Sequence, residues 1–380
     1  MIHRTFWKRL VEKLWDQHPV LWLSGVSQAG KTLLCRSLDD IEYFDCEAPE
    51  TMKMLGEPDR FLQQYRGKRI ALDSINCLVS ANELAETASR YYSDTRIIAM
   101  AKPAANPPAL GPEAASTHKG EIWLTPMLTD DQADFGNRDI SVRMLKGGLP
   151  PFFMSEKPVG EGFRKWIESF VSGMGDVRRL FKVEKPGSLV SFIELLFGRS
   201  GDVFDSADFI QQCSMSRTAI NSCLYILEKA GLVYPVRSFS SYKPDEITSA
   251  PRVFTFDTGF VCFYKGWSEL TDEVKPLLWE HIVLNELIGR LQSRQFFYWR
   301  DRRGHRIDIV SAKRGIPPLA VICALHSEDA DLESLFAFGR AYPDSTLAVV
   351  SSDISKPYRR ISGSFNICMD SLESLISRLS

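Results

Sequence analysis

The sequence predicts an α/β protein built on a parallel sheet, and three observations predict it. Short apolar runs alternate with helical stretches through the first 125 residues or so. The first apolar run, Val20 to Ser24, enters a glycine-bounded loop and then a helical stretch. The pattern is mainly helical from about residue 130 to 190, and apolar strands gather again in a last αβ unit from about residue 296. Strands buried on both faces read as continuous apolar runs, because helices cover both sides of a parallel sheet.

Each element follows in order. Residues 5–17 (TFWKRLVEKLWDQ) space their apolar side chains helically, so an amphipathic helix opens the chain. VLWLSG is a buried strand ending in glycine, and KTLLCRSL is a helix. IEYFDCE and RIALDSI read as the second and third strands, ELAETASRYY as a helix, and RIIAMA as a fourth strand. Residues 101–120 hold four prolines and many small residues, the composition of a long loop. EIWLTP resumes the strands. Residues 130–190 are mainly helical, interrupted by KGGLPP. FDSADFIQQC and SMSRTAINSCLYILEKAGLVYPV read as helix, turn, helix, strand, the order of a winged helix. VFTFDTG is a further strand, followed by two helices near 259–292. FFYWR, RIDIVSA, LAVICAL and TLAVVSS are the strands of a last αβ unit, which ends in the helix SLESLISRL. The expected division is a nucleotide-binding domain at 1–150, a helical lid at 151–190, a winged helix at 191–258 and a small α/β domain at 259–380.

Bulk properties narrow the function classes. The chain has 380 residues, enough for two or three domains. Hydrophobic residues make up 44% and charged residues 25%, which is ordinary for a globular protein. A net charge of -2 excludes a chain-wide basic field for nucleic acid, although a local patch fits within that total. Eight cysteines form no CxxC pair and six histidines show no zinc spacing, so the cysteines read as free thiols in a reducing compartment. No run approaches 18 apolar residues, and the first residues lack the pattern of a signal peptide. A cytoplasmic protein without a membrane span is expected.

The strongest local signal is Gly25-Val26-Ser27-Gln28-Ala29-Gly30-Lys31-Thr32, which fits GxxxxGK[ST] in full. Average composition meets that pattern by chance on the order of 1 time in 70 for a chain this long, and the strand-loop-helix context lowers the odds further. The glycines let the backbone curl so that several N–H groups face one phosphate. Lys31 is placed to reach the β- and γ-phosphates of a nucleotide, and Thr32 to ligate Mg²⁺. ATP with Mg²⁺ is therefore the expected ligand. A cradle of this kind needs a second acid to hold the metal through water. Asp73, at the end of the apolar run Arg69-Ile70-Ala71-Leu72, is that candidate. The residue after it is Ser74, whose hydroxyl is a poor base at neutral pH, so slow or absent hydrolysis is expected.

Several segments together resemble a prokaryotic group of AAA+-like ATPases that carry a P-loop domain, a winged helix and a C-terminal domain of unknown function. The resemblance spans nearly the whole chain. It rests on GVSQAGKT, on YFDCEAPE with IALDSI, on GGLP at 147–150, on FTFDTG at 254–259 and on YWRDRRGHRIDIV at 298–310. It implies an ATP-binding core with Gly25, Gly30, Lys31, Thr32 and Asp73 in matching places. It also implies a C-terminal domain shaped like a restriction-type nuclease. The sequence departs from the family at three points. The usual Asp-Glu is Asp73-Ser74, the usual P-loop arginine is Ser27, and the usual Glu-x-Lys falls on Ile322 and Ala324.

The C-terminal region offers fewer chemical groups. A metal-dependent nuclease needs two or three carboxylates around a cation and a lysine. Asp308 on a strand and Glu280 or Glu286 on the preceding helix are candidates, while Lys313 falls in the turn RGIPP. Nuclease activity is not expected, and Asp308 is read as a remnant paired with Arg300 or Arg306. Arg302, Arg303 and Arg306, with Arg300 and His305, could meet a phosphate backbone or form an exposed hairpin balanced by Asp301 and Asp308. Arg217, with Ser216 and Thr218, stands at the start of a candidate recognition helix. Arg138 and Arg143 are candidates for an arginine donated to a neighbouring subunit's γ-phosphate, with the role left unassigned. Two other readings stay open: a non-catalytic interaction protein with a structural nucleotide site, and a DNA-processing or defence-related ATPase. A DNA or protein partner through the winged helix and C-terminal domain, and an oligomer, are compatible with the sequence.

Overall fold

A computed structural model describes residues 4–101, 119–156, 160–173, 186–240 and 250–380. The loop expected over 101–120 lies almost wholly outside the described residues, and so does 174–185 of the expected helical lid. The chain forms two compact units. One comprises residues 1–140, 148–186 and 225–232; the other comprises 141–147, 187–224 and 233–380.

In the first unit five strands make one parallel sheet: β1 (Val20–Ser24), β2 (Ile41–Asp45), β3 (Arg69–Asp73), β4 (Arg96–Met100) and β5 (Lys119–Trp123). Their spatial order is β2-β3-β4-β1-β5, so β4 lies between the strand that feeds the glycine loop and the strand that ends in Asp73. All five strands read from the sequence are present, and every pairing is parallel. Trp22, Leu72, Ile97, Phe61, Leu62 and Leu84 meet in one core. The opening helix, Thr5–Trp15, buries Trp7, Val11 and Trp15, four residues apart on one face. Two short helices between β2 and β3, Pro49–Leu55 and Pro58–Gln64, escape the pattern reading. Each starts with proline, which suits the first helical turn, but is too short to show a period.

The second unit holds the helices Pro186–Gly198 and Ala207–Cys213 and the first part of Arg217–Lys229. An antiparallel pair follows, β6 (Val233–Ser238) with β7 (Arg252–Thr255). That pair is continuous with the later strands, because β6 pairs in parallel with β8 (Phe297–Arg300). The remaining strands are β9 (Arg306–Ser311), β10 (Leu319–Ala324), β11 (Thr346–Ser351), β12 (Tyr358–Ser362) and β13 (Phe365–Asp370). The sheet runs β12-β13-β11-β10-β9-β8-β6-β7 and is mixed in direction. The helix Lys275–Leu291 is buried from Leu278 to Gly289 and carries Glu280, His281, Asn285 and Glu286 inside. Trp299, Val310, Phe338, Val349 and Ile367 belong to this unit's core.

Gly147, the first residue of GGLP, meets FTFDTG in this unit. Gly147 has φ +80°, and a Cβ there would overlap the Asp257 carboxylate. A Cβ on Gly259 would lie 2.5 Å from the Lys146 carbonyl oxygen. Asp257 caps the helix Thr258–Lys265 by accepting the Gly259 N–H at 2.9 Å. Arg143 donates to the Thr258 hydroxyl at 3.0 Å and lies 3.7 Å from Asp257, all three being buried. No helix among the described residues is long and apolar enough to cross a membrane.

Candidate functional site

The loop after β1 is shaped by backbone sterics. Gly25 has φ +154°, and a Cβ there would come within 2.6 Å of the Leu124 carbonyl oxygen on the neighbouring chain segment. Gln28 at +63° and Gly30 at +95° also take positive φ, and the helix Lys31–Arg36 begins directly after them. This alternation turns successive amides to one side.

The carbonyls of the loop are tied away from that side. Lys31 Nζ donates to the carbonyls of Gly25 (2.8 Å) and Val26 (3.1 Å). Trp166 Nε1 donates to Ser27 (3.3 Å), and Arg4 donates to Ala29 (2.6 Å). Among the described residues the amides of Ser27, Gln28, Gly30, Lys31 and Thr32 have no acceptor. A loop with engaged carbonyls and open amides has the polarity an anion requires.

Arg4 is itself fully buried and forms a two-pronged pair with Asp131, at 2.5 and 3.0 Å. Asp131 also accepts the Trp7 indole N–H (3.0 Å) and the Leu128 amide (2.9 Å). Burying two charges is tolerable when each lone pair and proton finds a partner, and here most do. Neither Arg4 nor Asp131 stood out in the sequence, because no spacing rule marks a charged residue that will be enclosed.

Beside the loop, the Thr32 hydroxyl donates to Asp73 Oδ2 at 3.0 Å. The same oxygen accepts the Tyr43 hydroxyl at 2.5 Å. Arg36 lies over the Tyr43 ring, 4.4 Å from its centroid. Burial pushes the Tyr43 phenol up to about 12, with its hydrogen bond to Asp73 adding to the rise. Burial pushes the Lys31 ammonium down to about 8, opposed by the charge of Asp73. Ser74 is 6% exposed and left-handed, with φ +57°. The structure thus brings Gly25, Val26, Ser27, Gln28, Ala29, Gly30, Lys31, Thr32 and Asp73 together, and adds Tyr43, Arg4 and Trp166.

The second unit distributes its charged candidates differently. Asp308 is buried; it accepts from Arg306 (3.0 Å) and from the Cys323 amide (2.9 Å). Burial raises its pKa to about 6, helped by the nearby Glu280. Glu280 is held by both prongs of Arg252, at 2.5 and 2.9 Å, and Glu286 by Arg290 at 2.7 Å. On β10 it is the backbone amide of Cys323 that reaches Asp308, while Ile322 and Ala324 lie in the apolar core. Burial, then the charges of Asp308 and Glu280, drive the Cys323 thiol well above its usual range. Lys313 donates to the Leu379 carbonyl.

Arg302 and Arg303 are exposed in the turn between β8 and β9, while Arg306 is turned to Asp308. Arg217 is exposed at the start of its helix, where Ser216 Oγ accepts the Ala219 N–H at 3.2 Å. Arg138 is exposed, and Arg143 is enclosed against Asp257 and Thr258.

Comparison with known proteins adds the following. A model described as a domain of unknown function, DUF8612, matches residues 137–271, the span that holds both Gly147 and Asp257. The chain is similar to the uncharacterized proteins Mb2031c of Mycobacterium bovis and Rv2008c of Mycobacterium tuberculosis. Each is 23% identical over 318 residues, covering 79% of this chain and 69% of the relative. Among solved structures it is similar to the Walker-type ATPase PABY2304 of Pyrococcus abyssi, with 12% identity and a TM-score of 0.44. That match covers 70% of this chain and 96% of the other. It is also similar to a signal-transduction ATPase with a tetratricopeptide repeat sensor, PH0952 of Pyrococcus horikoshii, with 10% identity and a TM-score of 0.27. That match covers 75% of this chain and 47% of the other.

Proposed function

We propose that the first unit binds ATP with Mg²⁺ at the loop Gly25–Thr32 and that it hydrolyses ATP slowly. The observation that carries this reading is the polarity of the loop: four carbonyls engaged, five amides open, and Lys31 and Thr32 at its end. The donor set also fits a magnesium nucleotide. A hydroxyl and a carboxylate stand 3.0 Å apart, both hard oxygen ligands, beside an ammonium group.

The chain's own residues divide the work. The open amides receive phosphate oxygens without rearrangement of the loop. Lys31 exchanges its two carbonyl partners for the β- and γ-phosphates and offsets the charge that builds there. Thr32 would contribute a metal ligand, and Asp73 would hold the metal's water shell. Bound Mg²⁺ would supply neutralisation of the phosphate charge. Ser74 stands where related ATPases place an acid that orients water, and its hydroxyl cannot take the proton at neutral pH. That substitution supports slow turnover and a nucleotide-held state.

We read 191–258 as a winged helix, on its helix order and the β6–β7 pair, and 259–380 as a degenerate nuclease-like domain. The pairing of Asp308 with Arg306 and of Glu280 with Arg252 supports a structural use for both carboxylates.

The decisive experiment is Mg-ATP binding by calorimetry beside steady-state phosphate release, on wild type and Lys31→Ala. Binding that Lys31→Ala abolishes, with slow release, is the expected result. Binding without any release favours a nucleotide-held interaction protein. No binding overturns the proposal. Salt-dependent DNA binding by the full chain would add the DNA-processing reading. Ser74→Glu tests the cause of slowness: turnover rises if the missing acid limits it. An unchanged rate in a folded variant removes that explanation.

A further inference from the structure

The hydrogen bonds at Asp73 are one-sided. Oδ2 accepts both the Thr32 and the Tyr43 hydroxyls, and among the described residues Oδ1 accepts none. A carboxylate turns easily about its last torsion, since sp³–sp² torsions have broad wells. The single bond from Thr32, whose oxygen lone pair can ligate a metal while its O–H still donates, leaves the carboxylate free to turn. Tyr43 comes from β2, the strand beside β3, and the register places it opposite Ala71, two residues before Asp73. Its ring is in turn covered by the Arg36 guanidinium, from the helix that follows the glycine loop. The phenol therefore reaches Asp73 from a strand that takes no other part in the cradle.

We propose that Tyr43 is a positioning residue for the divalent cation: it pins Asp73 by Oδ2, so that Oδ1 stays directed at the water shell of the metal bound with the nucleotide. The inference rests on the Mg-ATP reading above. Tyr43 touches neither phosphate nor metal, and it acts only through Asp73. Arg36 holds the ring in place and supplies no bond to Asp73.

The test is a Mg²⁺ titration of ATP binding, on wild type, Tyr43→Phe, Asp73→Asn and the double variant. Binding of ATP in the presence of EDTA is measured on each. Tyr43→Phe is expected to raise the Mg²⁺ midpoint about threefold to tenfold, the net worth of an ordinary intramolecular hydrogen bond. Its metal-free ATP affinity should stay within about twofold of wild type. On the Asp73→Asn background the same change should add little, because the two act in series. Arg36→Leu should give a smaller shift in the same direction, and it serves as the second variant if Tyr43→Phe does not fold. A purely structural tyrosine would lower thermal stability and leave the Mg²⁺ midpoint alone, and that result overturns the proposal. Wild-type binding of ATP with no Mg²⁺ dependence also overturns it while leaving the nucleotide reading standing. No ATP binding by wild type fells both.

Discussion

Arg4 Nη1 lies 2.6 Å from the carbonyl oxygen of Ala29, inside the glycine loop, while the rest of its guanidinium pairs with Asp131. The first helix thus anchors the back of the cradle. Removing one member of a buried pair leaves the other charge without compensation, which costs about 3–5 kcal/mol. Arg4→Ala and Asp131→Ala are each expected to lose that order of stability in urea unfolding. The double variant should lose less than the sum, because the partners are in direct contact. Independent, additive losses would refute the coupling.

The proposed nucleotide binding has a pH dependence that follows from Lys31. Its folded value is lowered to about 8, so the ammonium is charged below pH 8 and neutral above it. Phosphate needs the charged form. Affinity for Mg-ATP should be flat between pH 7 and 8, then fall by up to about tenfold per pH unit as a proton must be taken up on binding. Calorimetry from pH 7 to 9.5 checks this. Lys31→Arg, charged at every pH in the range, should show no such slope whatever its absolute affinity.

Gly147 and Asp257 occupy one space. Alanine at 147 meets both a positive φ and the Asp257 carboxylate, which itself caps the helix Thr258–Lys265. Gly147→Ala is expected to cost about 2 kcal/mol or more. Part of the loss should return in Gly147→Ala with Asp257→Ala, where the steric part is relieved. Thermal melts of the three variants decide. An unperturbed Gly147→Ala would mean that the two segments do not approach as described.

Asp308 gives stability the opposite pH course from an ordinary paired carboxylate. Its folded value is raised to about 6, mainly by burial, so the folded state binds the proton more readily than the unfolded state. The associated stability is complete below about pH 4 and is lost as pH rises to about 6. Asp308→Asn should remove that loss. The stability difference between variant and wild type should grow in favour of asparagine by on the order of 1–3 kcal/mol from pH 4 to pH 7. A constant difference across that range would show that the carboxyl is not perturbed.

The sequence by itself determined the glycine loop and most of its sheet. A glycine loop is a local object: φ preferences and residue types at Gly25, Gly30, Lys31 and Thr32 dictate its curl, and the apolar runs at β1, β3 and β4 dictate their own burial. Asp73 was legible for the same reason, as the polar residue that ends such a run. Tertiary structure alone decided what surrounds these residues. Arg4 and Asp131 are 127 positions apart, and nothing local tells a buried arginine from a solvated one. Tyr43 reads as one more residue of a strand until the β2–β3 register sets it against Asp73. Ile322 and Ala324 join the apolar core because face assignment in a strand depends on pairing across the sheet. The edge strand β12 escaped notice because an exposed edge needs no apolar period. Local sequence specifies backbone conformation within a few residues, whereas the partners of a buried polar group are chosen by long-range packing.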